Sequence, residues 1–234
     1  MTHAQRRRIY LMRHGSVTYF DENGHPYAHD VVPLNAVGRE QTTAAGRSFA
    51  EQGIRFDRVI TSDLPRTIES AQRVLAETGQ PIDIESWPDF TEVRGHRLDA
   101  LADDELEEAF TSAFSCMAGE HCRFLGGESV GELMDRIHPV IDKLRADAAW
   151  DTVLLVLHGG VNRALLSYAI TGQRLFLGNL EQAPGCINVL DVGHKPNDWL
   201  IHTINYTPPR PLHTHTRLTS MEEGLHHYRK SRGL

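Results

Sequence analysis

Two histidines stand in the same sequence context, which could support chemistry on an anion. His14 lies just beyond the apolar run 9–12, and His158 follows the run 153–157 and precedes Gly159. Short apolar runs that end in polar residues and glycine are typical of buried parallel strands. Ligands of such sheets bind at the carboxyl ends of the strands, where a glycine offers a free N–H group to an anion. We therefore expect both imidazoles, and the N–H of Gly159, at one edge of a sheet.

Two arginines are expected at the same edge. Arg13 directly precedes His14, and Arg66 lies in the first turn of a predicted helix that follows a third strand, residues 58–60. A guanidinium can donate two parallel hydrogen bonds to a phosphate, a geometry that lysine cannot reproduce. Arg66 lies off the apolar stripe of its helix. The sequence alone therefore also allows Arg66 to be a solvent-exposed surface residue. If both arginines join the histidines, the set suits phosphoryl transfer.

Each histidine would have a different task in such a reaction. A neutral imidazole can attack phosphorus near neutral pH if its other nitrogen keeps its proton and donates it to a fixed acceptor. For His14 that acceptor should be a nearby backbone carbonyl. We expect His158, in its protonated form, to stabilise the negative charge that develops on the equatorial oxygens. The leaving alkoxide also needs a proton.

Composition and charge exclude several classes of protein. The chain has 234 residues, 40% of them hydrophobic and 24% charged, as in an ordinary soluble globular protein. A net charge of -7 argues against nucleic acid as a partner, because affinity for its backbone comes from massed Lys and Arg. No apolar run of about 18 residues occurs, so neither a membrane span nor a membrane partner is expected. The three cysteines show no paired spacing, which fits a cytoplasmic location.

The order of the predicted elements defines the expected fold. Further strands are predicted at residues 82–84, 187–192 and 199–204, and helices at 37–52, 63–75, 130–144 and 161–170. The clearest helix begins with Ser129 and Glu132, which form a capping box. Strands and helices that alternate in this way predict a three-layer α/β/α sandwich, with a mostly parallel sheet and helices on both faces.

Two segments break this alternation. Residues 97–127 contain an acidic helical piece followed by glycines, and we expect them to form a lid-like helical insert within a single domain over residues 1–206. Residues 207–234 begin with prolines and carry four histidines, and we expect an extended arm. Neither the pair His213 and His215 nor the pair at 226 and 227 falls on one helix face, so no metal site is predicted.

The motifs resemble the histidine phosphatase superfamily in its first and larger branch, which is also called phosphoglycerate-mutase-like. The resemblance covers about residues 9–192 and rests on four motifs in order. These are Arg13-His14-Gly15, the run Ser62 to Arg66, the Pro-Asp-x-x-Glu that ends at Glu92, and the run Leu157 to Gly160. Two further segments, residues 33–41 and 127–129, also resemble the family's sequence.

The resemblance implies a role for each motif. His14 would form a phosphohistidine. The phosphate would be held by Arg13, Arg66 and His158, and no cofactor would be needed. Glu92 would protonate the leaving group and then activate the water that hydrolyses the intermediate. Glu85 and Asp89 stay open as alternatives, since only the motif context favours Glu92.

One stretch departs from the family pattern. Val17 and Phe20 stand where many members have a Thr and an Asn, the Asn contacting the transferred phosphate, and Ser16, Thr18 or Asn23 could compensate. The leading interpretation is a phosphatase that hydrolyses a phosphate monoester of a small metabolite or a phosphoprotein, with homo-oligomer formation left open. The alternatives are a phosphoglycerate-mutase-type phosphotransferase and a low-turnover domain that binds phosphorylated ligands.

Overall fold

A six-stranded sheet forms the middle layer of the protein. The computed structural model describes residues 6–21, 27–95, 102–114, 116–208, 210–213 and 217–233. The strands of the sheet are β1 (Arg7–Arg13), β2 (Arg58–Thr61), β3 (Ile84–Ser86), β5 (Thr152–Leu157), β7 (Ile187–Val192) and β8 (Trp199–Tyr206). Their order is β3-β2-β5-β1-β7-β8. The first four are parallel, and β7 and β8 extend the sheet in antiparallel fashion. A second, two-stranded sheet pairs β4 (Met117–Ala118) with β6 (Phe176–Leu177).

Helices cover both faces of the large sheet. They are α1 (Ala36–Glu51), α2 (Pro65–Thr78), α3 (Leu106–Thr111), α4 (Val130–Ala146), α5 (Gly159–Thr171) and α6 (Ser220–Ser231). Side chains of β5 alternate between two cores, as they must when a strand is buried on both sides. Leu154 and Val156 pack with α1 and α2, whereas Val153 and Leu155 pack with α4 and α5. The predicted α/β sandwich with its mostly parallel sheet is therefore confirmed.

The register between β1 and β5 positions the two histidines. Arg13 pairs with Leu157 at the carboxyl ends of these neighbouring parallel strands. The residues that follow, His14 and His158, consequently leave the sheet side by side. The main-chain N–H of His14 donates to the carbonyl of Leu157 at 3.0 Å, which fixes this relationship.

The predicted extended arm over 207–234 is wrong for residues 220–231, because they form helix α6. Thr219 accepts a hydrogen bond from the N–H of Glu222, whose side chain accepts from the N–H of Thr219, which makes a capping box. The apolar side chains of α6 pack against α3 in a cluster apart from the main cores. This lid cluster consists of Leu106, Phe110, Leu225 and Tyr228, with Phe20, Leu125 and Met221 packed around it.

The predicted insert lies partly outside the described residues. From residue 102 onward it contributes the short helix α3, which carries half of the lid cluster, and strand β4. The domain boundary at residue 206 stays a prediction. None of the helices that the structure describes combines the length and the apolar composition needed to cross a bilayer.

Candidate active site

The two imidazoles lie together at the carboxyl edge of the sheet. The ring centroids of His14 and His158 are 5.2 Å apart and the ring planes meet at 66°. Both side chains are buried, with 2% and 0% of their surface exposed. Two histidines 144 positions apart (158 − 14) thus share one small volume beneath the protein surface.

His14 is held as a neutral imidazole with one nitrogen free. Its Nδ1 lies 2.7 Å from the carbonyl oxygen of Gly15, a contact that requires the proton on Nδ1. Burial, followed by the positive charges of Arg66 and Arg13, lowers the pKa of His14 well below its usual value. Nε2 therefore carries a lone pair at neutral pH, as a nucleophile must. The predicted backbone acceptor for the other nitrogen is present.

His158 ends a chain of hydroxyl groups. Its Nε2 lies 2.8 Å from Ser62 Oγ, which lies 2.9 Å from Thr67 Oγ1, and the Thr67 hydroxyl donates to the carbonyl of Leu64 at 2.8 Å. Because the Thr67 hydroxyl donates its proton to that carbonyl, the Ser62 hydroxyl donates to Thr67 and accepts from His158 Nε2–H. The other nitrogen, Nδ1, is buried and has no hydrogen-bond partner in the described part of the chain.

The protonated His158 expected in the transition state is not the form favoured in the ligand-free protein. Burial lowers the pKa of His158 well below its usual value, and its neighbours His14 and Arg66 lower it further. A cation at this position needs an anion beside it to offset the cost of burial. Protonation of Nδ1 is thus coupled to the arrival of an anion.

Arg66 is completely buried, so the exposed position left open by the sequence does not apply. Its Nη1 donates to the main-chain oxygen of His29 at 2.8 Å, and its Nη2 donates to the Nε2 of the same residue at 3.0 Å. The Nε of Arg66 is buried without a partner among the described residues. A guanidinium has two donor edges, and the edge that includes Nε is the one left for an outside acceptor.

Arg13 shows the same pattern. Its Nη1 donates to the main-chain oxygen of Gln182 and, at 2.9 Å, to the hydroxyl of Ser220 at the start of α6. Its Nε is likewise buried and unpartnered within the described chain. The guanidinium lies against Gly159, since a Cβ added there would stand 3.4 Å from both Cζ and Nε of Arg13. Gly159 thus leaves space for the arginine beside the first turn of α5.

Glu92 lies at the start of the same helix. Its Oε1 accepts from the N–H of Val93 at 2.9 Å and from the N–H of Gly160 at 3.1 Å. The two other candidates do not share this position. Glu85 is engaged in a two-bond ion pair with Arg58, at 2.7 and 2.6 Å, and Asp89 is exposed. Of the three candidates, Glu92 is thus the one that contacts the first turn of the helix that follows His158.

The loop after Gly15 is shaped by contacts with α1. A Cβ on Gly15 would overlap the carbonyl oxygen of Gly38, so the backbones meet directly. Asn35 caps α1 by accepting from the N–H of Gly38 at 2.8 Å, and its Nδ2 donates to the hydroxyls of Ser16 and Thr18 at 3.2 and 3.3 Å. These two hydroxyls therefore serve the helix cap.

The other residues of the stretch that differs from the family pattern also make structural contacts. Val17 pairs with Leu34 in an isolated antiparallel bridge. Phe20 packs in the lid cluster, with its ring centroid 6.2 Å from that of Tyr228. Asn23, the third compensating candidate, lies outside the described residues. Phe20 thus contributes packing between the loop and α6 at a position where the family resemblance predicts a polar contact.

Sequence reasoning missed several residues that touch this site. Ser62 begins the motif Ser62 to Arg66 and directly follows the end of β2. This position at a strand end could have identified it as a site residue. His29, Gln182 and Ser220 carry no local pattern, because each reaches its arginine only through the folded chain.

Comparison with known proteins agrees with this geometry. The family model of the histidine phosphatase superfamily (branch 1) matches residues 9–207, and the chain belongs to this family. The resemblance drawn from the motifs is thereby confirmed.

Individual relatives are between a fifth and a third identical to the chain over the aligned residues. It is 30% identical over 169 residues to a 6-phosphofructo-2-kinase/fructose-2,6-bisphosphatase of Gallus gallus, a match that spans 71% of the chain and 33% of that protein. The chain thus spans about a third of the length of this relative. It is 28% identical to an adenosylcobalamin/alpha-ribazole phosphatase of Escherichia coli, over 80% of the chain and 91% of that protein. A solved mycobacterial glucosyl-3-phosphoglycerate phosphatase shares the fold, with a TM-score of 0.64, 22% identity and coverage of 86% and 99%.

Proposed function

We propose that this protein is a phosphatase that hydrolyses a phosphate monoester through a phosphohistidine on His14. The observation that carries the proposal is a set of three buried nitrogens near His14 that have no hydrogen-bond partner among the described residues. These are Nε of Arg13, Nε of Arg66 and Nδ1 of His158. The two guanidinium nitrogens are donors, and a buried donor without an acceptor costs about 1–3 kcal/mol. Because Nδ1 of His158 becomes a donor once it is protonated, the set favours an oxyanion as the missing acceptor. Family membership supports the same reading.

The proposed reaction has two steps. Nε2 of His14 attacks phosphorus, the P–N bond forms, the ester P–O bond breaks, and Glu92 gives a proton to the leaving alkoxide. Glu92 then takes a proton from water, whose oxygen attacks phosphorus and releases inorganic phosphate from His14. The charge of the phosphoryl group is offset in both steps by four groups. These are the guanidinium groups of Arg13 and Arg66, the Nδ1–H of His158 and the N–H of Gly159.

The substrate we propose is a small phosphorylated metabolite that carries hydroxyl groups. A cavity of about 510 Å³ is lined by Thr111, Phe114, Asn179, Glu181, Arg217, Leu218, Thr219 and Glu222. Two of these residues directly precede Gln182 and Ser220, which both bond Arg13, so the cavity lies beside the phosphate site. Its volume suits a metabolite. The hydroxyls, amide and carboxylates of its wall favour a polyhydroxylated leaving group over a protein side chain.

No metal ion is required in this scheme, because arginine and imidazole supply the positive charge. We expect full activity after treatment with EDTA, with no increase when Mg²⁺ is added back. A loss on chelation that Mg²⁺ restores would contradict this part of the proposal. The cytoplasmic location and the state of assembly stay predictions.

The proposal is tested by a panel of phosphorylated metabolites and an aryl phosphate, with mass detection of phosphate on His14 after rapid quenching. The wild type should release inorganic phosphate and carry the label, and His14→Ala should do neither. His202→Ala is the matched control, since that histidine bonds Asp191 on the far edge of the sheet. Interconversion of phosphoglycerate isomers without phosphate release would favour the mutase alternative. Binding without any turnover would favour the ligand-binding alternative.

A further inference from the structure

His29 makes two contacts with the same buried guanidinium. It begins a short 3-10 helix, His29–Val31, in the loop between β1 and α1. Its main-chain oxygen accepts from Nη1 of Arg66 at 2.8 Å, and its ring Nε2 accepts from Nη2 at 3.0 Å. One residue thus binds the whole end of the guanidinium, both through its backbone and through its side chain.

The end that His29 occupies is separate from the edge proposed for phosphate. The guanidinium presents five N–H groups in a fixed plane, and the end-on pair uses one from each Nη. The side-on pair consists of Nε–H and the remaining Nη2–H, and this pair matches two phosphate oxygens. Because Nε is buried without a partner in the described chain, the side edge stays available while His29 holds the end. The contact therefore orients Arg66 and leaves it able to bind phosphate.

The ring of His29 is itself oriented by its neighbours. It stacks on Tyr19, with ring centroids 5.8 Å apart and planes 2° from parallel. Its Nδ1 lies 3.6 Å from the carboxylate of Asp30, on the side away from the arginine. Partial burial, with 46% of the side chain still exposed, and the charge of Arg66 lower the pKa of His29, while Glu92 and Asp30 oppose this effect. A neutral ring with its proton on Nδ1 is the form that can accept from Arg66.

We propose that His29 is a positioning residue for phosphate binding, which fixes the Arg66 guanidinium through its ring Nε2 so that the side edge faces the phosphate. The inference rests on the proposed function, because it concerns the same phosphate site. It assigns a task to His29, a residue that belongs to none of the motifs of the family resemblance.

The test measures the dissociation constant of inorganic phosphate by calorimetry, which needs no turnover. His29→Ala removes the ring acceptor and should weaken phosphate binding about tenfold or more, in line with a lost hydrogen bond to a charged group. His29→Gln can present an amide oxygen near the place of Nε2 and should retain binding within about threefold. His29→Asn is too short to reach and should resemble the alanine variant.

A double-mutant cycle separates positioning from a general loss of structure. In an Arg66→Ala background, His29→Ala should cause no further loss of phosphate affinity, because the group that it positions is absent. His202→Ala serves as the control and should bind as the wild type. Phosphate binding by His29→Ala equal to the wild type, or an equal loss in both backgrounds, would overturn the inference.

The outcomes also separate this inference from the proposed function. A wild type that binds phosphate but hydrolyses no ester overturns the phosphatase proposal and leaves the positioning role supported by the cycle. A wild type that hydrolyses esters while all His29 variants bind phosphate equally supports the phosphatase and overturns the positioning role. A wild type that binds no phosphate overturns both.

Discussion

The hydroxyl of Ser220 lies 2.9 Å from Nη1 of Arg13, although the two residues are 207 positions apart in the chain. Ser220 is the first residue of α6, so the C-terminal helix touches a guanidinium of the proposed phosphate site. The lid cluster holds the helix there by packing Leu225 and Tyr228 against α3. The region that sequence reasoning set apart as an arm therefore contributes to the candidate active site.

Replacing this hydroxyl tests whether α6 supports phosphate binding. Ser220→Ala leaves Arg13 with the Gln182 carbonyl alone. We expect the dissociation constant of phosphate to rise about three- to tenfold, because a hydrogen bond to a charged group is lost at a part-buried position. Calorimetry with phosphate gives the measurement. His202→Ala on the edge strand β8 is the control, and an identical constant for both variants would show that the contact is incidental.

The fold could be predicted because its signals are local. Apolar runs such as 153–157 and the capping box at Ser129 identify strands and helices without knowledge of their partners. The gathering of His14 and His158 was also predictable, since the carboxyl ends of parallel strands meet at one edge. Burial of Arg66 was not, because the residue lies off the apolar stripe of α2 and its acceptor comes from another loop.

The C-terminal segment was mispredicted for a physical reason. Its composition is dominated by prolines at the beginning and by four histidines. The capping box of Thr219 and Glu222 was therefore not recognised in the sequence. Met221, Leu225 and Tyr228 fall at i, i+4 and i+7, which is one helix face, so the sequence held a short apolar stripe as well. Their partners on α3 lie in a different segment, so only the folded chain shows why this helix is stable.

Phosphate binding should take up a proton. The pKa of His158 is lowered well below its usual value by burial and by nearby positive charge, so the free ring is neutral. A bound phosphate supplies an opposite charge and an acceptor for Nδ1–H, which raises that pKa. At a pH that lies above the pKa of the free ring and below the raised pKa of the bound form, we expect net proton uptake when phosphate binds. Calorimetry in two buffers of different ionisation enthalpy measures the uptake, and a value near zero would contradict protonation of His158 on binding.

Phe20 should contribute stability where the family has a polar residue. Its ring packs against Tyr228 in the lid cluster. Phe20→Asn, which restores the family residue, removes apolar packing and should lower the free energy of unfolding by about 1–3 kcal/mol. Urea denaturation gives the value, and Phe20→Leu is the apolar control with a smaller expected loss. An asparagine variant as stable as the leucine variant would mean that the lid cluster does not depend on this ring.

A methyl group on Gly160 should disturb proton transfer more than phosphate binding. A Cβ there would stand 2.7 Å from Oε1 of Glu92, so the carboxyl must move from the helix amide. We expect kcat to fall on the order of tenfold to a hundredfold, below the full range for loss of a general acid. The loss should be larger for an alkyl phosphate than for an aryl phosphate, whose leaving group needs less protonation.

The control for this variant is Gly224→Ala in α6, where the nearest atom, Cε1 of Phe110, stands at an ordinary 3.6 Å. It should leave kcat unchanged. Equal losses of kcat with both phosphates in the Gly160→Ala enzyme would argue that Glu92 is not the proton donor.

The direct backbone contact between Gly15 and Gly38 ties the orientation of α1 to the position of the nucleophile. No side chain stands between them to absorb a change in tilt. A substitution that rotates the first helix, even one on its solvent face, would therefore move the carbonyl that sets the tautomer of His14. Enzyme variants with altered turnover should be sought along this helix, although it carries none of the reacting groups.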